Sequence, residues 1–224
     1  MLIRIVLAAL PLLAMQERVL AADACVACHM DPAFQASNRK LRDYYLMWKS
    51  STHGKAEVAC SECHGGDPKL ADKAAAHASI PGGTMRAVNF RNIPKTCGSC
   101  HGGLYTAFTK SRHFKSLLRK KADAQGPNCV TCHGSLIARN LDPGKLHDAC
   151  DTCHNKNTDN HPEYADRAGV LVKQLLDARA RIKDLGERQR FAAPLRQIAL
   201  NWHMVDLANV EVETAALLKN IPLK

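Results

Sequence analysis

All ten cysteines of the chain occur in five copies of one pattern, Cys-x-x-Cys-His, at residues 25–29, 60–64, 97–101, 129–133 and 150–154. We number these copies motif 1 to motif 5. The two thiols of such a pattern can form thioethers with the vinyl groups of a porphyrin, and the following histidine can then bind the iron from one side. Five copies with no cysteine left over predict five covalently attached c-type haems.

The predicted site residues follow directly from the pattern. The attachment cysteines are Cys25, Cys28, Cys60, Cys63, Cys97, Cys100, Cys129, Cys132, Cys150 and Cys153. The proximal iron ligands are His29, His64, His101, His133 and His154.

Two other uses of these cysteines stay open. Paired Cys-x-x-Cys units can hold zinc in a tetrahedral site. An exported chain with an even number of cysteines can also be a disulfide framework. Neither use requires a histidine directly after the second cysteine of every pair, so the repeated fifth residue favours haem.

Six histidines lie outside the motifs, which nearly matches the need of five irons for a second axial ligand. These distal candidates are His53, His77, His113, His161, His147 and His203. Met85 and Met204 are weaker alternatives. Two imidazoles on an iron leave no position for a substrate, so full occupancy favours an electron carrier, whereas one open position would permit catalysis.

Residues 1–22 are typical of a signal peptide. Arg4 precedes a short apolar run over residues 5–14, and small residues follow at 21–22. The run is too short to span a bilayer, so we expect no membrane span in the mature form, with an uncleaved anchor as the alternative. Covalent haem attachment occurs outside the cytoplasmic membrane. We therefore expect an exported protein, in the periplasm first and outside the cell as the alternative.

The composition indicates a core built around cofactors. Aromatic residues make up only 5% of the chain, and five porphyrins would supply the missing apolar bulk. We predict a mainly α fold with much irregular structure, in which residues 23–161 form a pentahaem domain of short helices and loops. A formal charge of +10 does not indicate nucleic acid here, because the protein is exported and haem propionates neutralise cations.

One basic run is a predicted docking surface for an acidic redox partner, or else a solvated helix face. It comprises Lys110, Arg112, Lys115, Arg119, Lys120 and Lys121.

The section at residues 162–224 has no cysteine and shows helical periodicity. Ala165, Ala168 and Val172 belong to a first apolar stripe, and a second stripe over about 194–219 includes His203. We predict an antiparallel helical hairpin packed on the haem domain. It could act as a lid over the haems or form a homodimer or partner interface.

Several segments resemble bis-histidine multihaem c-type cytochromes, a family that includes the tetrahaem shuttle of hydroxylamine oxidation and pentahaem donors to nitrite reductase. The matching pieces span about 25–160 and are Trp48-x-x-Ser51-x-His53, Cys60-x-x-Cys63-His64-Gly65-Gly66-Asp67-Pro68, Asp72-Lys-Ala-Ala-Ala-His77, Ile93-Pro94-Lys95-Thr96-Cys97-Gly98-Ser99-Cys100-His101, Ser111-x-His113 and Cys129-x-x-Cys132-His133-Gly134-Ser135. The resemblance implies closely packed haems, His53, His77 and His113 as distal ligands, and electron transfer with a reductase, an oxidase or a membrane complex.

The chain departs from that family at one point. Leu136 and Ile137 stand where relatives often carry a histidine after the fourth motif. Either His147, His161 or His203 substitutes for it, or one haem is five-coordinate. The leading hypothesis is an electron carrier. The alternatives are a small haem enzyme acting on an inorganic nitrogen or sulfur compound, and an extracellular cytochrome filament subunit.

Overall fold

The computed structural model describes residues 23–78, 88–119, 126–134, 142–158 and 161–222. These residues form fourteen α-helices and no strand, which confirms the prediction of a mainly α fold. The predicted signal peptide at 1–22 lies outside the described residues. Of the helices described, none combines the length and the apolar character needed to cross a membrane.

Short helices contain motifs 1, 2 and 4 and the first cysteine of motifs 3 and 5, and short helices are what the sequence predicts for the first part of the chain. They are α1 (Ala24–His29), α2 (Pro32–Ser37), α3 (Arg39–Ser50), α4 (Thr52–Lys55), α5 (Cys60–His64), α6 (Lys73–His77), α7 (Ile93–Gly98), α8 (Gly102–Thr109), α9 (Arg112–Leu117), α10 (Cys129–His133) and α11 (Pro143–Asp151).

Local capping explains why these helices begin where they do. The side chain of Asp23 accepts the backbone N–H of Cys25 at 2.9 Å, so α1 starts at motif 1. Asn128 accepts the N–H groups of Val130 and Thr131 in a capping box that starts α10 at motif 4. Each cap satisfies backbone donors that a helix start leaves without a helical acceptor. Capping therefore fixes both motifs as compact single turns.

Glycines end two of the motif helices directly after the proximal histidine. Gly65 follows His64 with φ 76°, and Gly134 follows His133 with φ 80°. Residues other than glycine rarely adopt backbone angles in this left-handed region, because their Cβ atom clashes with the backbone. The chain can therefore turn away at once and leave the histidine at the helix end.

The C-terminal section contains three helices where the sequence predicted a hairpin of two. They are α12 (Glu163–Arg181), α13 (Leu185–Met204) and α14 (Leu207–Asn220). Val205 breaks the predicted second helix because it adopts a left-handed conformation, and Asp206 then caps α14. Asp184 accepts the N–H of Glu187, so α13 starts well before Pro194, which lies inside it.

The three C-terminal helices share one apolar core. Its buried residues are Leu171, Leu175, Ala178, Ile182, Phe191, Ile198, Leu207, Val210, Leu217 and Ile221. A smaller cluster joins Leu146 of α11 to Ala168 and Val172 of α12, and α13 packs against α8. Full burial of each large aliphatic side chain stabilises the fold by about 1.5–3 kcal/mol. The C-terminal helices thus form a stable platform against the helices near motifs 3 and 5.

Candidate haem sites

Four of the five motif histidines face a second histidine ring. The ring centroids are 6.3 Å apart for His29 and His77, 6.1 Å for His101 and His53, 6.0 Å for His133 and His203, and 6.0 Å for His154 and His113. Two imidazoles that bind one first-row metal ion from opposite sides, with metal–nitrogen bonds of about 2.0–2.1 Å, have centroids roughly 6 Å apart. The four pairs therefore fit an iron held between two imidazoles.

Hydrogen bonds to backbone carbonyl oxygens determine which ring nitrogen two of the distal candidates can use to bind a metal. His77 Nδ1 lies 2.7 Å from the carbonyl oxygen of Lys73, and His203 Nδ1 lies 2.6 Å from that of Ala199. Because a carbonyl oxygen only accepts, Nδ1 carries the proton in both rings. In the neutral ring Nε2 is then the nitrogen with a free lone pair, and it is the nitrogen available to bind metal.

Burial favours the neutral form that metal binding requires in three of the paired histidines. It lowers the pKa of His29, with further contributions from His77 and His64. Burial likewise lowers the pKa of His113 and His133, each with a contribution from its facing histidine. Desolvation disfavours the charged imidazolium, so these rings need not lose a proton when a metal binds.

The two remaining distal candidates face other groups. His147 Nε2 lies 3.2 Å from Asp166 Oδ1, and its Nδ1 lies 3.4 Å from Asp148 Oδ1. His161 stacks on Tyr164 with centroids 4.6 Å apart. The ring contacts of the described residues include no second imidazole facing His64. The structure therefore does not bring His147 or His161 opposite a motif histidine.

His147 links the helix of motif 5 to α12, and this link is expected to weaken as pH rises. The pKa of His147 is raised by its hydrogen bond to Asp148 and by the charges of Asp166 and Asp151. Protonated His147 therefore stabilises the folded protein fully at pH values below its unfolded-state pKa of about 6.5. This stabilisation is lost as the pH rises through the higher pKa of the folded state.

We expect the His147→Gln variant to lose this part of the pH dependence. Chemical denaturation followed by far-UV circular dichroism between pH 5.5 and 8 should show wild-type stability falling towards the variant's as pH rises. A constant difference between the two proteins across this range would contradict the ion-pair role of His147.

No disulfide joins any of the ten cysteines, all of which the structure describes, and the sulfur atoms of successive motifs lie near one another. The pKa of Cys25 rises to about 11 through burial, Asp23 and Cys60. Burial raises the pKa of Cys63, and Cys97 and Cys100 add to it. Motifs 1 and 2, and motifs 2 and 3, are therefore neighbours.

The same neighbour relation continues to the end of the series. Cys129 donates a hydrogen bond to Cys97, which lowers the pKa of Cys97 to about 7 and raises that of Cys129. Burial raises the pKa of Cys150 to about 11, and Cys132 contributes. Helix α10 also contacts both α7 and α11. The five motifs thus adjoin one another in chain order.

The donors for the zinc alternative are not assembled. In the described parts of the chain, which include every cysteine and every histidine, no group of three or more His, Cys, Asp or Glu side chains could hold a metal ion. A tetrahedral structural zinc site uses four such donors. The residues present instead fit haem, in which the porphyrin supplies the equatorial ligands and the protein supplies two axial ones.

Residues 10–65 match the family model described as cytochrome c554 and c-prime. This match supports a c-type cytochrome. It covers motifs 1 and 2, about a quarter of the chain, and supports haem-based electron transfer in general. The comparison with curated proteins and the comparison with solved structures gave no significant match.

Some residues at the sites were not identified from the sequence. Phe34 lies 5.2 Å from the ring of His29, and Tyr164 lies 5.4 Å from that of His154. Phe34 is only five residues from His29 in the sequence, so its contact with that ring could have been predicted. The contact of Tyr164 could not, because Tyr164 also lies on the apolar side of α12 and is explained by packing there.

Proposed function

We propose that the chain is an exported electron carrier with five covalently attached haems, which exchanges electrons with redox partner proteins. The four facing histidine pairs support this proposal more than any other observation. Haem iron supplies one-electron chemistry by alternating between its ferric and ferrous forms. The chain's part would be to hold four of the irons between two imidazoles each, which favours a low-spin state and leaves no axial position for substrate on those four irons.

The order of the motifs supports a carrier with two distinct ends. Because cysteines of successive motifs are neighbours in chain order, the haems of motif 1 and motif 5 would be the first and last of the series. Electrons would enter near one end and leave near the other. The midpoint potentials, and hence the direction, would depend on burial and on the groups that contact each histidine.

A second candidate function is catalysis at motif 2. His64 has no facing imidazole among the described residues, in contrast to the other four motif histidines. Met85, a weaker ligand candidate, lies outside the described residues. A haem at motif 2 with an open axial position would bind small inorganic nitrogen compounds such as nitrite or hydroxylamine.

Mass spectrometry and electron paramagnetic resonance of the purified protein test both functions. We expect the mass of the chain plus five haems, and the mass of four haems for a Cys60→Ala/Cys63→Ala variant. Fewer than five haems in the wild type would contradict the proposed carrier. At least four low-spin ferric signals are expected, and a high-spin signal that changes on addition of nitrite would support the second candidate.

A further inference from the structure

The net charge of the chain is concentrated in one segment. Residues 73–122 contain ten Lys or Arg and no Asp or Glu. Of the 31 basic residues in the chain, 21 therefore lie elsewhere, where they are balanced by all 21 acidic residues. The whole charge of +10 thus arises from a segment that includes motif 3, α9 and the distal candidate His113.

Helix α9 carries exposed basic residues on one side and the distal candidate His113 on another. Leu117 is fully buried and His113 is half-buried, whereas Arg112, Lys115 and Arg119 are exposed. Arg112 and Lys115 are three residues apart and lie on one side of α9, and Arg119 follows two residues after the end of the helix. With Lys110 they form a surface that we call the basic face.

The basic face has features of a docking surface. In the described parts of the chain, its four cations form no ion pair. Leu118 lies beside them with 53% of its surface exposed. Arg91 adds a further guanidinium because it donates to the carbonyl oxygen of Arg119 at 2.9 Å. Cations around an exposed apolar side chain favour contact with an acidic protein surface.

The basic face is on the same helix as His113, the histidine that faces motif 5. His113, on the inner side of α9, faces His154 of motif 5 with ring centroids 6.0 Å apart. A protein bound to the outer side of α9 would therefore be separated from the site of the terminal haem by little more than one helix. Electron transfer between partners requires this kind of short separation.

We propose that the basic face of α9 is the docking surface for an acidic redox protein, which exchanges electrons with the haem of motif 5. This inference rests on the proposed electron-carrier function. Electrostatic attraction would steer the partner to this end of the series, and opposite charges would orient it over α9.

The test uses the full-length holoprotein and reduced plant-type [2Fe–2S] ferredoxin, an acidic redox protein, as the probe. One electron passes from the reduced cluster to a ferric haem, and stopped-flow absorbance gives the second-order rate constant. We expect the triple variant Arg112→Glu, Lys115→Glu, Arg119→Glu to react about tenfold or more slowly at low salt. The difference from the wild type should shrink as salt screens the charges.

A matched control variant changes the net charge by the same amount at another part of the surface. Lys183, Arg188 and Arg196 are exposed on the C-terminal helices or their connection, and their replacement by Glu should change the rate constant less than twofold. A neutral variant, Arg112→Gln, Lys115→Gln, Arg119→Gln, should show an intermediate effect. Haem content and circular dichroism check that each variant is folded.

Three results would overturn the docking proposal. One is an equal loss of rate in the control variant, which would indicate an effect of net charge alone. Another is a shifted reduction potential in the triple variant that accounts for its slower reaction, which would make the cations haem propionate partners. The third is an unchanged ferredoxin rate together with lost binding to anionic phospholipid vesicles, which would indicate a membrane surface. Failure of ferredoxin or dithionite to reduce the wild type would instead contradict the electron-carrier function.

Discussion

The His203→Ala variant is expected to convert one haem from a low-spin to a high-spin ferric state while all haems stay attached. His203 faces His133 with rings 16° from parallel, and the hydrogen bond of its Nδ1 to the carbonyl oxygen of Ala199 leaves Nε2 as the nitrogen available to a metal. Alanine keeps the helix but removes the imidazole whose ring faces His133 among the ring contacts of the described residues. One of the five haems should therefore change, as measured by electron paramagnetic resonance and visible spectroscopy.

The matched control is His147→Gln. His147 was also a distal candidate, but it contacts Asp148 and Asp166, so this variant should keep the wild-type spin state. A His203→Ala variant with an unchanged low-spin signal would contradict the assignment of His203 to motif 4. Recovery of the low-spin signal on adding imidazole would show that the altered haem had lost an axial ligand.

The Ile198→Ala variant is expected to lower the free energy of unfolding of the C-terminal helices by about 2–5 kcal/mol. Ile198 lies on α13 with none of its surface exposed and packs in the core shared with α12 and α14. Alanine would lose the transfer free energy of the deleted groups and leave a cavity. Urea denaturation followed by far-UV circular dichroism measures the change.

The same experiment can report on His203. Because His203 is five residues from Ile198 on the same helix, unfolding of α13 should also remove the imidazole from motif 4, so the spin change and the loss of helix should share one midpoint. Val212→Ala is the control: Val212 is 68% exposed, and its truncation should change stability by less than about 0.5 kcal/mol. Equal destabilisation by both substitutions would contradict the assigned core.

The five motifs could be identified from the sequence because each one is local. Two cysteines and a histidine within five residues predict an attachment site without reference to the rest of the chain. The partner of each motif histidine could not be predicted in this way. His203 lies 70 residues after His133, and only the packing of the C-terminal helices brings the two rings together.

The prediction of a two-helix C-terminal hairpin was wrong because the second predicted helix is broken at Val205. Val205 is β-branched, and such residues rarely adopt the left-handed conformation that it has here, with φ 58° and ψ 38°. Apolar periodicity continues across this position, so the sequence indicated one helix where the chain forms two. The ion pair of His147 was equally hidden, because its partner Asp166 belongs to a different helix.

The four histidine pairs are interleaved along the chain. The interval from His29 to His77 overlaps that from His53 to His101, and the interval from His113 to His154 overlaps that from His133 to His203. With a metal between each pair, the two loops of each set share a segment, residues 53–77 in the first set and residues 133–154 in the second, and closing each loop restricts the unfolded chain. The shared segment cannot leave one loop without disturbing the other. The two histidine pairs of each set should accordingly be lost together on unfolding.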